Sequence, residues 1–255
     1  MSATHAVADT AVLTGRSLRH ILRSPDTIIT TAVTPIAMML LFVYVLGGAI
    51  ETGSDEPYVT YLLPGILLMT IASGVAYTSY RLFLDLQGGI VERFQSMPIG
   101  RSAVLWGHVL TSLVANAVSL AIVVAVALVM GFRSGAGVLA WLGAAGILLL
   151  FTVALTWLAV VAGLSAKTVD GASAFSYPLI FLPFISSAFV PTDSMPAPVA
   201  WFAENQPVTS IVNAIWALLD GHPAGWDLWV ALAWCLGLLV VAYAWAVATY
   251  RRRLR

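Results

Sequence analysis

Residues 58–80 read YVTYLLPGILLMTIASGVAYTSY, twenty-three positions without one Asp, Glu, Lys or Arg. A helix crossing the hydrocarbon core of a bilayer needs about 20 predominantly apolar residues, so the stretch predicts a membrane span. Pro64 does not count against it, because neighbouring helices can satisfy the backbone groups a proline frees. Five further stretches meet the same criterion: 28–50, 103–130, 138–164, 172–190 and 228–250. The expectation is an all-α integral membrane protein, one transmembrane domain over 1–255 with six transmembrane helices. The first span is expected to stay in place. It follows a 27-residue polar head and is longer than the roughly 7–15 apolar residues of a cleavable signal.

Composition agrees. Of 255 residues, 60% are hydrophobic and 9% charged, against about 25% charged in a typical soluble domain. Mean hydropathy is +0.93. So few charged groups cannot cover a water-facing surface, which excludes a soluble enzyme or binding domain. Twelve basic residues balance twelve acidic ones, so there is no net basic face to argue for nucleic acid. The lone Cys235 has no internal disulfide partner and reads as a small packed hydrophobe.

The position of the charges is more informative than their sum. If the chain alternates across the bilayer, eleven of the twelve cations share one side. They are Arg16, Arg19 and Arg23 in the head, Arg81, Arg93 and Arg101 after the second span, Lys167 after the fourth, and Arg251, Arg252, Arg253 and Arg255 in the tail. The other side keeps Arg133 together with Glu51, Asp55, Glu56, Asp193, Glu204, Asp220 and Asp227. The positive-inside rule then puts both termini in the cytoplasm. No ionisable Asp, Glu, Lys or Arg lies in the middle of any span, whereas an ion-coupled transporter normally carries relay or coordination groups there. Uphill movement by such a chain needs energy from outside it. Asn116 is the main strongly polar side chain at depth, and a helix–helix hydrogen bond is its expected role.

Three segments do not span. In the head, 10–25, Leu18, Ile21 and Leu22 share one helical face, and Arg16, Arg19 and Arg23 another. This suits an amphipathic helix lying on the cytoplasmic leaflet; a polar leader that only sets topology is the plainer alternative. The connection 81–102, RLFLDLQGGIVERFQSMPIGRS, keeps Leu82, Phe83, Leu86, Ile90, Val91 and Phe94 among charges. Apolar side chains at the water's edge suit a docking surface for another protein, or burial against the chain's own helix ends. Gly88-Gly89 is expected to break any helix there, and Pro98 to stop the chain before the third span. In the external stretch 191–227, a run from Pro207 to Leu219 is too short to cross a core of about 30 Å. It reads as an interfacial or re-entrant helix with Thr209 as its N-cap and Gly221 beyond its end.

Catalytic chemistry is not legible. VAGLSAKT at 161–168 imitates a phosphate loop, but Val161 and Ala166 stand where both glycines are required. An intramembrane Ser–His hydrolase would have to use Ser73 in IASG and His108, and the first glycine of the required turn is absent. His5, His20, His108 and His222 are scattered and form no metal-ligand cluster.

Three stretches together resemble the membrane subunit of type-2 ABC exporters, in particular the daunorubicin-resistance branch. ERFQSMPIGR at 92–101 is similar to that family's ERxxSMPIxR. GLSAKT at 163–168 is similar to its GLxxKT. PLIFLPFISSAFVP at 178–191, with Met195-Pro196 and NQPVT at 205–209, is similar to its PLxFLSxAFVPxxxMP…NPVT. Gln206 stands before the proline where the family usually has Asn, with a small effect on the turn expected.

The resemblance covers about residues 10–255. It implies the type-2 ABC exporter fold and a permease that moves a drug, lipid or glycoconjugate outward through a bacterial plasma membrane. A second membrane subunit, as homodimer or heterodimer, and a separate ABC ATPase subunit are the implied partners. ATP and Mg would sit on that ATPase, and this chain would carry no cofactor and no catalytic site. The family's coupling helix maps onto 84–94, its interface helix onto the head, and its re-entrant helix onto 208–219. Phe83, Leu86, Gln87, Ile90, Glu92 and Arg93 are the implied ATPase-contact set, with spans one and two rocking against the rest. The substrate path is not assigned; Phe42, Tyr44 and Met69 are larger side chains of spans one and two that suit substrate contact and suit lipid-facing or packing positions equally well. A non-transporting scaffold or regulatory subunit is the alternative from another class.

Overall fold

A computed structural model describes residues 25–48, 57–88 and 103–253, and every regular element among them is helical. The head helix expected over 10–25 lies outside the described residues, except its last position. So do Ile90, Glu92 and Arg93, with the rest of the 92–101 motif.

The elements are α1 (Pro25–Leu40), continued by a π-helical turn and a half at Leu41–Leu46, α2 (Tyr58–Gln87), α3 (Ala103–Val129), α4 (Val138–Ser165), α5 (Val169–Ala174), α6 (Ser176–Phe181), α7 (Ala197–Asn205), α8 (Pro207–Leu219) and α9 (Gly225–Arg253). Short 3-10 turns occupy Leu182–Ile185 and Thr192–Ser194. Four helices are long and apolar enough to cross a bilayer: α2, α3, α4 and α9.

Two of these four are inner and two are outer. α2 is apolar on all sides, and a helix of that kind needs partners all round. It packs on α1, α3, α4, α5, α6 and α8. Leu62, Leu63, Ile66 and Ile71 are fully buried. α4 packs on α2 and even more extensively on α9. The outer helices α3 and α9 leave apolar side chains facing outward, Val129 at 89% and Val240 at 66% exposure among them. Such surfaces are incompatible with water at this extent and compatible with lipid or another membrane subunit.

The first and fifth expected spans depart from simple helices. α1 contains Pro35, and past Leu40 the hydrogen bonding loosens to the π form. The stretch expected to span over 172–190 is broken into α5, α6 and the 3-10 turn, with Pro178 and Pro183 inside it. Proline removes an amide donor and crowds the preceding carbonyl, so the chain cannot hold one α-helix through both. The second span is longer than the apolar run suggested: α2 continues through Arg81 to Gln87 because Leu82 and Phe83 are still buried.

The start of α8 also corrects an expectation. Thr209 is not the N-cap; Gln206 occupies that position and Pro207 is the first helical residue. Proline is well suited there, since its missing N–H would have no intrahelical partner anyway. The Thr209 hydroxyl instead donates back to the carbonyl of Ala203 in α7.

Candidate functional site

At the arginine-rich end of the bundle, α2 stops at Gln87, and the Gly88 N–H closes onto the Leu84 carbonyl at 2.8 Å. Of the residues implied as ATPase contacts, Phe83 is buried at 3% exposure and Leu86 is half-buried. Leu86 packs against a cluster that includes Leu82, Leu105, Val109, Trp157 and Tyr250. Gln87 and Leu84 are exposed. Phe83 and Leu86 therefore anchor the helix end, while Gln87 faces outward. Asp85 Oδ2 meets His108 Nε2 of α3 at 3.2 Å, and the Arg81 guanidinium lies over the Tyr77 ring at 5.9 Å. The point where the chain leaves α2 is thus tied to the beginning of α3, where it returns. Nothing in hydropathy signals the Asp85–His108 contact.

Deeper in the bundle a hydroxyl network joins three helices. Thr78 Oγ1 on α2 donates to Ser112 Oγ on α3 at 2.8 Å, and Ser112 Oγ lies 3.3 Å from Thr156 Oγ1 on α4. Asn116, expected to bond across helices, uses its amide on Ser112 Oγ and the Ser112 carbonyl of its own helix, at 3.3 and 2.9 Å. The interhelical link is therefore made by Ser112. The Asn116 side chain fits because Gly74 on α2 faces it; a Cβ at Gly74 would lie 2.2 Å from Asn116 Oδ1. Gly163 has a comparable role between α4 and α2, where a Cβ would stand 2.8 Å from the Ser79 carbonyl. Small residues let helices approach this closely in a membrane. Two residues of the 163–168 motif thus acquire structural reasons: Gly163 closes the crossing, and Thr168 Oγ1 caps α5 by accepting from the Gly171 N–H at 3.1 Å.

The long motif at 178–209 builds the opposite end. Backbone that leaves the helix inside a membrane protein must find donors and acceptors within the protein. Here it does. Tyr61 donates to the Ser187 carbonyl at 2.7 Å, and Tyr58 to the Phe189 carbonyl at 3.0 Å. Ser187 Oγ donates to Asn213 Oδ1 on α8 at 2.8 Å. The buried Gln206 amide donates to the carbonyl of Ile185 and reaches that of Leu182 at 3.4 Å. Phe184 and Phe189 stack at 4.5 Å, with Phe42 of the π segment 5.0 Å from Phe189. The sequence expectation for Gln206 is a small effect on a turn; in the fold its amide bonds the carbonyl of Ile185 where the broken helix ends.

The remaining candidates separate. Met69 is buried at 2%, Phe42 is half-buried against the aromatic stack, and Tyr44 is 69% exposed. Ser73 Oγ is engaged by the Met69 carbonyl at 2.9 Å, and His108 by Asp85.

A family model described as ABC-2 type transporter matches residues 9–219. The daunorubicin resistance ABC transporter permease protein DrrB1 of Streptomyces coeruleorubidus is 28% identical over 252 residues, 97% of this chain and 88% of the relative. The probable doxorubicin resistance ABC transporter permease protein DrrC of Mycobacterium tuberculosis, in strains CDC 1551 and H37Rv alike, is 25% identical over 249 residues, 96% of this chain and 89% of the relative.

Proposed function

Because this multi-pass membrane chain belongs to the ABC-2 type transporter family, we propose that it is the permease subunit of an ATP-driven exporter. It pairs with a second membrane subunit, and each of the two rides on an ABC ATPase subunit that binds ATP and Mg. It lies in a bacterial plasma membrane with six crossings and both termini in the cytoplasm, as the eleven-to-one partition of cations supports. The cargo is hydrophobic or amphipathic. Relatives named for daunorubicin and doxorubicin resistance favour a drug over a lipid or glycoconjugate.

The observation that carries this reading is likeness to permeases along 97% of the chain, joined to spans whose interiors hold hydroxyls and one amide but no Asp, Glu, Lys or Arg. A chain so built has no ionisable relay of its own. Its work comes from a partner, and the partner's stroke enters at 81–102. Gln87, Ile90, Glu92 and Arg93 touch the ATPase, with Phe83 and Leu86 seating the segment.

The packing favours a stroke other than a rocking of spans one and two as a pair against the others. α2 is the most enclosed of the long helices, and tearing it from α3 and α4 would undo the packing of Leu62, Leu63, Ile66 and Ile71, the contact that holds helices together in a bilayer. Instead Asp85–His108 and the Thr78–Ser112–Thr156 chain tie α2, α3 and α4 into one moving block, with α1 packed on α2 and α3 and the second subunit across the path. Reversing both charges, Glu92→Arg with Arg93→Glu, tests the entry point. In a reconstituted complex, substrate-stimulated ATP hydrolysis is expected to fall severalfold. Unchanged coupling and assembly would reject the contact.

A further inference from the structure

Between α3 and α4 the fold leaves a groove of about 410 Å³, floored by Leu67 of α2 and by Ile215 and Leu219 of α8. Its walls are cut back by alanines, Ala117, Ala121 and Ala125 at helical spacing on α3, facing Ala144 and Ala145 on α4. Ala121, Ala125 and Ala145 are exposed, so the groove opens sideways along the bundle. Thr152 is its one hydroxyl, and that is already spent on the Leu148 carbonyl at 2.7 Å. The groove offers hydrocarbon contact and nothing to hydrogen-bond. It runs along α3 from Leu113 to Leu128, about 22 Å of helix rise, and one acyl chain fills half of a core of about 30 Å.

The outer mouth differs in character. Leu128 lines the groove, and its carbonyl accepts from Arg133 Nη1 at 2.8 Å; the same Nη1 also donates to the Phe132 carbonyl at 2.8 Å. Arg133 is exposed, and it is the one cation among the described residues at this end of the bundle, where Glu204, Asp220 and Asp227 also lie. Asp220 is within 2.6 Å of His222. Trp141 completes the mouth, edge-on to Phe132 at 6.3 Å. Indole rings favour this headgroup depth. A guanidinium carries five donors in a planar fork that matches a phosphate, and two backbone carbonyls occupy only one of its nitrogens.

We infer that the α3–α4 groove and Arg133 together form a binding site for a phospholipid of the bilayer, one acyl chain in the groove and the phosphate on Arg133. The site depends on the chain being in a membrane and is independent of the exporter reading. It lies apart from the aromatic stack at Phe42, Phe184 and Phe189.

The test is photo-crosslinking of the full chain in vesicles of three parts phosphatidylcholine to one part phosphatidylglycerol, carrying a trace of phosphatidylglycerol with a diazirine in its acyl chain. Adducts are expected to concentrate on 113–128 and 141–152 above the level on the lipid-facing side of α9. Filling the groove from either wall, Ala121→Phe or Ala145→Phe, should bring those adducts down to the α9 level. Arg133→Gln, which leaves the groove intact, should reduce them about fivefold, as expected for loss of one phosphate contact near the surface. Free inorganic phosphate should not compete. Adducts spread evenly over α3, α4 and α9, or unchanged in both Phe variants and in Arg133→Gln, would overturn the site. Equal labelling by a diacylglycerol bearing the same chain would overturn the phosphate contact, and loss of labelling on adding exported drug would reassign the groove to cargo.

Discussion

A carbonyl shielded from water and left without a donor costs about 1–3 kcal/mol, and the buried Gln206 amide is the side chain that donates to the part-buried carbonyl of Ile185. Gln206→Leu keeps the side-chain bulk and removes both donors. It should lower stability by about 1–3 kcal/mol, read as a fall in the denaturation midpoint of the detergent-solubilised protein. A midpoint equal to that of the unaltered chain would show that the amide is dispensable. Tyr61 and Tyr58 serve neighbouring carbonyls through their hydroxyls, so this corner depends on three side chains, two from α2 and one from the cap of α8. No local pattern announces such a role. Gln206 and Ile185 are 21 positions apart, and single-residue reading sees only a polar residue before a proline. Asp85 and His108 are similar: each is unremarkable alone, and only the turn-back of the chain between α2 and α3 makes them partners.

At the scale of helices, close packing decides which elements move together. Gly163 sits where a side chain would meet the Ser79 backbone at 2.8 Å and Leu82 at 3.3 Å. Backbone cannot yield as a flexible side chain can, so Gly163→Val must push α4 away from α2. Overpacking of this kind costs about 1–3 kcal/mol, and the variant should unfold earlier on heating and lose coupled ATP hydrolysis in the complex. Retained stability together with retained coupling would contradict the close α2–α4 crossing. Hydropathy found α2, α3, α4 and α9 because lipid rewards continuous apolarity, a property that sequence displays directly. It treated 172–190 in the same way and missed the break, since an apolarity count does not register backbone hydrogen bonding. Pro178 and Pro183 carried the signal. The exposed and buried faces of α3 were equally hidden, because bilayer and protein interior select similar side chains.

For the molecule as a whole, orientation is the property most open to direct measurement. Cys235 is fully buried, so replacing it with Ala gives a clean background for single cysteines. Gly135, whose added Cβ would meet nothing within 4 Å, and the exposed Arg252 mark opposite ends of the bundle. A membrane-impermeant maleimide applied to intact cells should label Gly135→Cys and leave Arg252→Cys untouched until the cells are opened. The reverse pattern would invert the topology and move the ATPase contact to the wrong side. Charge placement made this end-to-end asymmetry legible before any coordinates. The mixture of apolar and charged residues over 81–102 is what suggests docking, and the central positions Ile90, Glu92 and Arg93 lie outside the described residues.

The central claim is that a chain with no ionisable group inside its spans borrows its energy from a separate ATPase. It is tested most directly by purifying the chain alone and after co-expression with an ABC ATPase subunit from the same cell, then measuring ATP hydrolysis in lipid. The account predicts no hydrolysis by the chain alone, and a stable complex that hydrolyses ATP faster when exported drug is added. Failure to form any complex, or hydrolysis by the isolated chain, would contradict it.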